Sequence, residues 1–189
     1  MGFVEYDREL AGRLESVLVH GVQPVWVELA DYDPCWPDCF ERCRARIRRV
    51  LGERARLVEH IGSTSVPGLA AKPVIDVVVG VDDADDEAAY LADLVADGFD
   101  LRVREPGHRC LRGSEAGLAV NLHCYAANAV EVERYLRLRD RLRGHEHDRL
   151  LYETTKRRLA GRQWPDMNYY AEAKSPVIEE ILSRAEAGY

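Results

Sequence analysis

The sequence predicts an α/β protein, and three features predict it. A strand–turn–strand unit lies near the middle, a period-two hairpin follows it, and segments of helical period stand on either side. The central unit runs from Arg56 to Gly80. Leu57 and Ile61 belong to a short strand that stops at Gly62, and Val74 to Val79 is β-branched at nearly every position, as in a strand covered on both faces. Ser63, Thr64 and Ser65 follow the glycine, and Pro67-Gly68 stops any helix begun there within about two turns. Asp76 sits inside the second strand, where a lone acid is costly unless a cation meets it.

The chain of 189 residues is expected to be a single domain overall. Its parts are a helical arm over 1–24, a core over 25–128 and a C-terminal helical segment over 129–189 packed on that core. A net charge of −7 gives no electrostatic basis for general affinity to nucleic acid, which is not expected as a partner. No apolar run approaches the length of a membrane span, and the charged N-terminus lacks a signal-peptide core. Five cysteines, an odd number, argue for reduced thiols and a cytoplasmic location. Self-association as a homodimer stays open.

Residues 3–19 place Leu10, Leu14, Val17 and Leu18 at helical spacing, and VWVELA, from Val25 to Ala30, alternates as a strand does. Asp31 to Pro37 carries helix-start chemistry, and the helix then runs to about Leu51 with Trp36, Phe40, Cys43, Ile47 and Val50 inward. Cys35, Cys39 and Cys43 recur every four residues, a spacing that suits small buried hydrophobes better than a zinc site. From Asp82 to Glu105 nine acids face two arginines, which reads as a solvated helix face with Tyr90, Leu91, Leu94 and Val95 inward. Arg109–Arg112 and Gly117–Tyr125 read as a hairpin joined through Gly113 to Ala116. On its second strand Leu118, Val120, Leu122 and Cys124 share one face, and Ala119, Asn121, His123 and Tyr125 share the other.

From Glu131 to Arg162 ten basic residues outnumber six acids, and Leu136, Leu138, Leu142, Leu150, Leu151 and Leu159 supply apolar packing. Arg139 and Arg143 are four apart on one helix face, as are Tyr152 and Lys156. Such pairs grip phosphate or carboxylate, or else bridge to acids upstream. His145-Glu146-His147 reads as an exposed turn, because residues two apart on a helix diverge. Asn168 to Arg184 reads as one closing helix, with Tyr170 and Lys174 again four apart.

The glycine-serine corner has two readings. In one it is a capped turn, with Asp76 paired to an arginine. In the other Gly62 lets a phosphate approach the backbone, Ser63, Thr64 and Ser65 surround it with hydroxyls, Lys72 adds a charge and Asp76 holds Mg²⁺.

The string HIGSTSVPGLAAKPVIDV, from His60 to Val77, resembles the signature of the GrpB family. Tyr32-Asp33-Pro34-x-Trp36, Asn121-Leu122-His123, Arg139-Asp140-x-Leu142-Arg143, Tyr152, Lys156 and Tyr170-x-x-x-Lys174-Ser175 agree with it too, over about Val25 to Leu182. The resemblance implies a nucleotidyltransferase (DNA polymerase β-like) fold: a mixed, mostly antiparallel sheet backed by helices. It also implies a site for ATP or another nucleoside triphosphate with Mg²⁺, acting on a small-molecule acceptor by nucleotidyl transfer or ligation. Asp76 would be the metal ligand, and Asp76 and His123 the catalytic pair. Lys72, Arg109, Arg139, Lys156, Tyr170 and Lys174 would join the corner in holding nucleotide or phosphate. One departure stands out. Nucleotidyltransferases place a second acid two residues after the first, on the same strand face, where this chain has Val78, and Asn121 or His123 stands where a third acid belongs. The alternative is a degenerate module that binds a nucleotide or phosphorylated metabolite without chemistry.

Overall fold

The structure, a computed structural model, describes residues 8–186. Its centre is a five-stranded sheet built from β2 (Leu57–Ile61), β3 (Val74–Val81), β4 (Asp100–Glu105), β5 (His108–Glu115) and β6 (Leu118–Ala126). The order is β2-β3-β6-β5-β4, with β3 and β6 parallel and every other pair antiparallel. This is the mixed, mostly antiparallel sheet expected. A two-residue ribbon, β1 (Val25–Trp26) with β7 (Gln163–Trp164), stands apart from it. The expected strand over Val25 to Ala30 is therefore much shorter, because its partner is only two residues long; Ala30 instead makes a single bridge to Ala71.

One sheet face is closed by α2 (Trp36–Leu51) and the short α3 (Leu91–Ala96). Trp36, Phe40, Cys43 and Ile47 from α2 meet Ile75, Val77 and Val79 of β3 and Val120, Leu122 and Cys124 of β6 in the main core. The alternation read along β6 is therefore realised. Val95 faces solvent rather than the core, because α3 is one and a half turns long and buries only Leu94. Much of the acidic stretch is ion-paired: Asp97 with Arg46 and Arg49, Asp93 with Arg54, Asp82 with Arg56, and Glu87 with Arg104.

The other face is covered by α4 (Val130–Gly144), α5 (Glu146–Leu159), α6 (Met167–Glu172) and α7 (Ser175–Glu186). The single closing helix expected over 168–184 is two helices, and Pro176 falls in the first turn of the second. Leu150 is exposed, while Leu142, Tyr152, Val177 and Ile181 pack together with Val66 and Leu69. Helix α1 (Arg8–Val17) lays Leu14, with Leu18 just after it, against Val103, Trp164 and Tyr170, so the arm caps the far edge of the sheet. The part of the arm before Arg8 lies outside the described residues. Among the described residues no helix is long and apolar enough to cross a membrane.

Candidate functional site

Strands β3, β6, β5 and β4 and the covering helices line a cavity of about 430 Å³. At one end lies the glycine-serine corner. Gly62 has φ 70° and ψ −176°, a region that other residues enter only at a cost of about 1–3 kcal/mol. A Cβ there would overlap Asp76 Oδ2 and come within 3.0 Å of Asp76 Cβ. Glycine is thus what allows the turn to close over the carboxylate. Asp76 sits opposite Ile61 on one side and Asn121 on the other.

The Asp76 carboxylate accepts a hydrogen bond from Asn121 Nδ2 at 2.8 Å, and His123 Nε2 stands 3.9 Å away. Burial opposes its ionisation, but His123, Asn121 and the charge of Lys72 outweigh burial and hold the carboxyl below its usual range. For His123 burial is likewise outweighed, here by Cys110 and Asp76, and its pKa lies well above the ordinary value. The chain of contacts continues outward. His123 Nδ1 is 3.3 Å from His108 Nε2, and His108 Nδ1 is 2.7 Å from Glu105 Oε1. Burial and the neighbouring His123 lower the pKa of His108 against the pull of Glu105. A charged His123 therefore donates to a neutral His108, which donates to Glu105. Held in this form His123 is a hydrogen-bond donor rather than a metal ligand or a base.

The hydroxyls of the corner divide. Thr64 Oγ1 donates to Val74 O at 3.0 Å and shares a 3.1 Å hydrogen bond with His60 Nε2, so its capacity is used inside the fold. Burial pushes His60, stacked on Phe40 at 4.7 Å, down to about 4. Ser65 Oγ donates to Gly62 O at 2.6 Å, and Ser65 O accepts from Arg143 Nε and Nη2 at 2.9 and 2.8 Å. Ser65 lines a different, smaller cleft. Ser63 is the half-buried hydroxyl left facing the cavity.

Lys72, Arg139, Lys156, Tyr170 and Lys174 all line the cavity. Lys72 Nζ has the thioether of Met167 as partner at 3.0 Å. Burial, with Lys174 and Arg112 nearby, brings its pKa down to about 8 despite Asp76. Lys156 donates to Ala70 O and lies 5.0 Å from the ring centre of Tyr152; burial and Lys174 bring it to about 7. Lys174 Nζ sits 4.6 Å from the ring centre of Tyr170. Arg139 is drawn partly away, to Glu59 at 2.8 Å and to Asp140.

Arg109 is elsewhere. It is buried on the opposite sheet face, 3.0 Å from Asp85 and bonded to Glu87. The cause is strand alternation. The hairpin turns through only Ala116 and Gly117, with φ 48° and 81°, so Glu115 opposes Leu118, Cys110 opposes His123 and Arg112 opposes Asn121. His108, Cys110 and Arg112 consequently share the cavity face, and Arg109 and Leu111 do not. Arg112 and Arg102 are the strand arginines at the cavity, and neither was singled out from the sequence. The signal for Arg112 is alternation along its strand, which puts it on the face shared by Asn121 and His123. Nothing local marks Arg102, which lies in the acid-rich stretch.

Position 78 shares a strand face with Asp76, but Val78 is fully buried against Ile61, Tyr125 and Val132. A second carboxylate there would lie in apolar packing. Among the described residues no three His, Cys, Asp or Glu side chains converge as a metal site.

Residues 26–184 match the family model described as GrpB protein. A UPF0157 protein of Halalkalibacterium halodurans is 45% identical over 179 residues, covering 92% of this chain and 91% of that one. Another, from Streptomyces coelicolor, is 49% identical over 170 residues, covering 90% of each. The crystal structure of conserved protein GrpB from Enterococcus faecalis, 28% identical, superposes with a TM-score of 0.65 over 81% of this chain and 98% of that one. The chain belongs to the GrpB family.

Proposed function

We propose that this protein binds ATP or another nucleoside triphosphate with Mg²⁺ and uses it to activate or modify a small-molecule acceptor, by nucleotidyl transfer or by ATP-dependent ligation. The observation that carries the reading is the charge of the cavity. Seven lysine or arginine residues line it against two acids, Asp76 and Glu131, in a chain whose net charge is −7. Of the seven, Lys72, Arg112, Lys156 and Lys174 form no salt bridge among the described residues, while Arg102, Arg134 and Arg139 are paired. Lysines with lowered pKa values beside an arginine without an ion-pair partner are what a polyanion site looks like before its ligand arrives.

Asp76 is the one carboxylate at the corner and is ionised. Mg²⁺ commonly takes one or two protein carboxylates and completes its shell with substrate phosphates and water. The donor set fits a metal delivered on the nucleotide, and does not fit a protein-held pair. Bound there, the metal would neutralise phosphate charge. The chain's own residues do the rest. Gly62 admits the phosphate to the backbone and Ser63 donates to it. Lys72, Arg112 and Lys174 offset charge developing on the transferred group, and His123 donates to an anionic oxygen beside Asp76.

Pyrophosphate, AMP and ADP release would be followed with ATP, Mg²⁺ and pools of candidate acceptors. Acceptor-dependent release that vanishes in Asp76→Asn supports catalysis. The buried Val78 favours a second reading, a module that binds without chemistry. It predicts nucleotide binding with no release under any pool.

A further inference from the structure

At the end of the cavity away from the glycine-serine corner, β4 carries an irregularity. Leu101 opposes Leu111 and Val103 opposes Cys110, so Arg102 is an extra residue without a partner on β5. A bulge of this kind re-aims a side chain, and here both Arg102 and Val103 line the cavity. Arg102 is only 4% exposed. Its Nη2 donates to Asp166 Oδ2 at 3.0 Å, while Nε and Nη1 are buried with no hydrogen-bond partner. Asp166 is itself heavily subscribed. Oδ2 also accepts from Gln23 N at 2.9 Å, and Oδ1 accepts from the backbone and side-chain nitrogens of Asn168 at 3.1 and 2.6 Å. The hydroxyl of Tyr170, on the same cavity, is the remaining buried side-chain group without a partner among the described residues.

Three unsatisfied polar atoms, one set of them cationic, thus belong to one cavity. Leaving such groups unmade costs about 1–3 kcal/mol each, more when charged, so their presence on the wall of one cavity points to a ligand that completes them. In the strand order β3-β6-β5-β4, Arg102 is three strands from Asp76, roughly 14 Å at ~4.8 Å per strand. We infer that Arg102 and Tyr170 receive an oxyanion, a carboxylate or a phosphate, borne by the acceptor while the nucleotide occupies the Asp76 end. Calling this the acceptor end rests on the nucleotide reading; the presence of an oxyanion site here does not.

Calorimetry with succinate and with inorganic phosphate tests it, each titrated with and without a saturating non-hydrolysable ATP analogue and Mg²⁺. The expected result is binding of one probe that persists beside the nucleotide; its identity tells a carboxylate acceptor from a phosphorylated one. Arg102→Lys risks leaving Asp166 unpaired, so Tyr170→Phe is the second variant. It removes a hydroxyl that nothing in the fold uses, so its melting temperature should equal or exceed wild type while probe affinity falls about tenfold. No binding of either probe, or affinity unchanged in both variants, overturns the inference. Probe binding in a protein that ignores the analogue would sink the nucleotide reading and leave the oxyanion site standing.

Discussion

Replacing Gly62 by alanine separates a turn that merely needs glycine from a turn built around a carboxylate. The backbone at φ 70° and ψ −176° costs a Cβ-bearing residue about 1–3 kcal/mol. The new Cβ would also overlap Asp76 Oδ2, with Asp76 Cβ 3.0 Å and Cγ 3.1 Å away. Relief requires Asp76 to move, which strains its 2.8 Å hydrogen bond from Asn121, a charged-group bond worth about 1.5–3 kcal/mol. Together these give a loss of about 3–5 kcal/mol, or roughly 6–20 °C in melting temperature for a chain of this size. Gly68 is the internal control. It has φ 77° but nothing within 4 Å of an added Cβ, so Gly68→Ala carries backbone strain alone, about 1–2 kcal/mol. Scanning calorimetry of the two variants, with and without ATP and Mg²⁺, should rank Gly62→Ala well below Gly68→Ala and show the ligand response lost only in the former. Equal destabilisation, with the response kept in both, would refute the coupling of Gly62 to Asp76.

Other consequences follow from the same geometry. Burial brings the folded pKa of Lys156 to about 7 against 10.5 for a free lysine, so the unfolded chain binds more protons between those values and apo stability rises with pH across that window. Lys156→Met should remove of the order of 4 kcal/mol from that rise, read as the difference between the two proteins' urea-unfolding curves at pH 7 and pH 10. Ser63→Ala should leave stability within about 0.5 kcal/mol and weaken nucleotide binding, whereas Thr64→Val should cost about 1–3 kcal/mol by stranding His60 and Val74 O, as paired melts and titrations would show. Arg109→Ala should lower stability by about 1–2 kcal/mol and leave nucleotide affinity untouched, because it removes a bridge away from the cavity whose acids are partly solvated, and Glu87 keeps Arg104. Asp76→Asn should lower the pKa of His123, followed by the pH dependence of its ring shifts in NMR, since a carboxylate that favours the imidazolium is gone.

Much of the fold could be read from local pattern because burial there follows short-range periodicity. The alternation on β6 placed Asn121 and His123 on one face and Leu122 and Cys124 on the other, and the β-branched run of β3 identified the central strand. The corner was found for the same reason: glycine, hydroxyls and acid lie in one continuous string. What pattern could not supply was direction within the turn. Thr64 and Ser65 carry the same chemistry as Ser63, yet the fold turns their hydroxyls inward, to Val74 O and Gly62 O. The position of the turn was the second gap. A hairpin drawn through 113–116 ends its first strand at Arg112, opposite Gly117; the strand in fact runs on to Glu115, which sets Arg112 beside Asn121 in mid-sheet. Arg109 opposes a core-face residue in either pairing, so strand alternation alone takes it off the cavity face. Arg102 was hidden more deeply, because its orientation comes from a bulge set by pairing with β5 and from Asp166, sixty-four residues away.

The most direct test of the account is calorimetric titration of a non-hydrolysable ATP analogue into wild type and Asp76→Asn, each with Mg²⁺ and with EDTA. The account predicts saturable binding in wild type that weakens markedly without Mg²⁺ and is lost or made metal-independent in Asp76→Asn. Absence of binding in wild type, or affinities indifferent to both metal and Asp76, would contradict it.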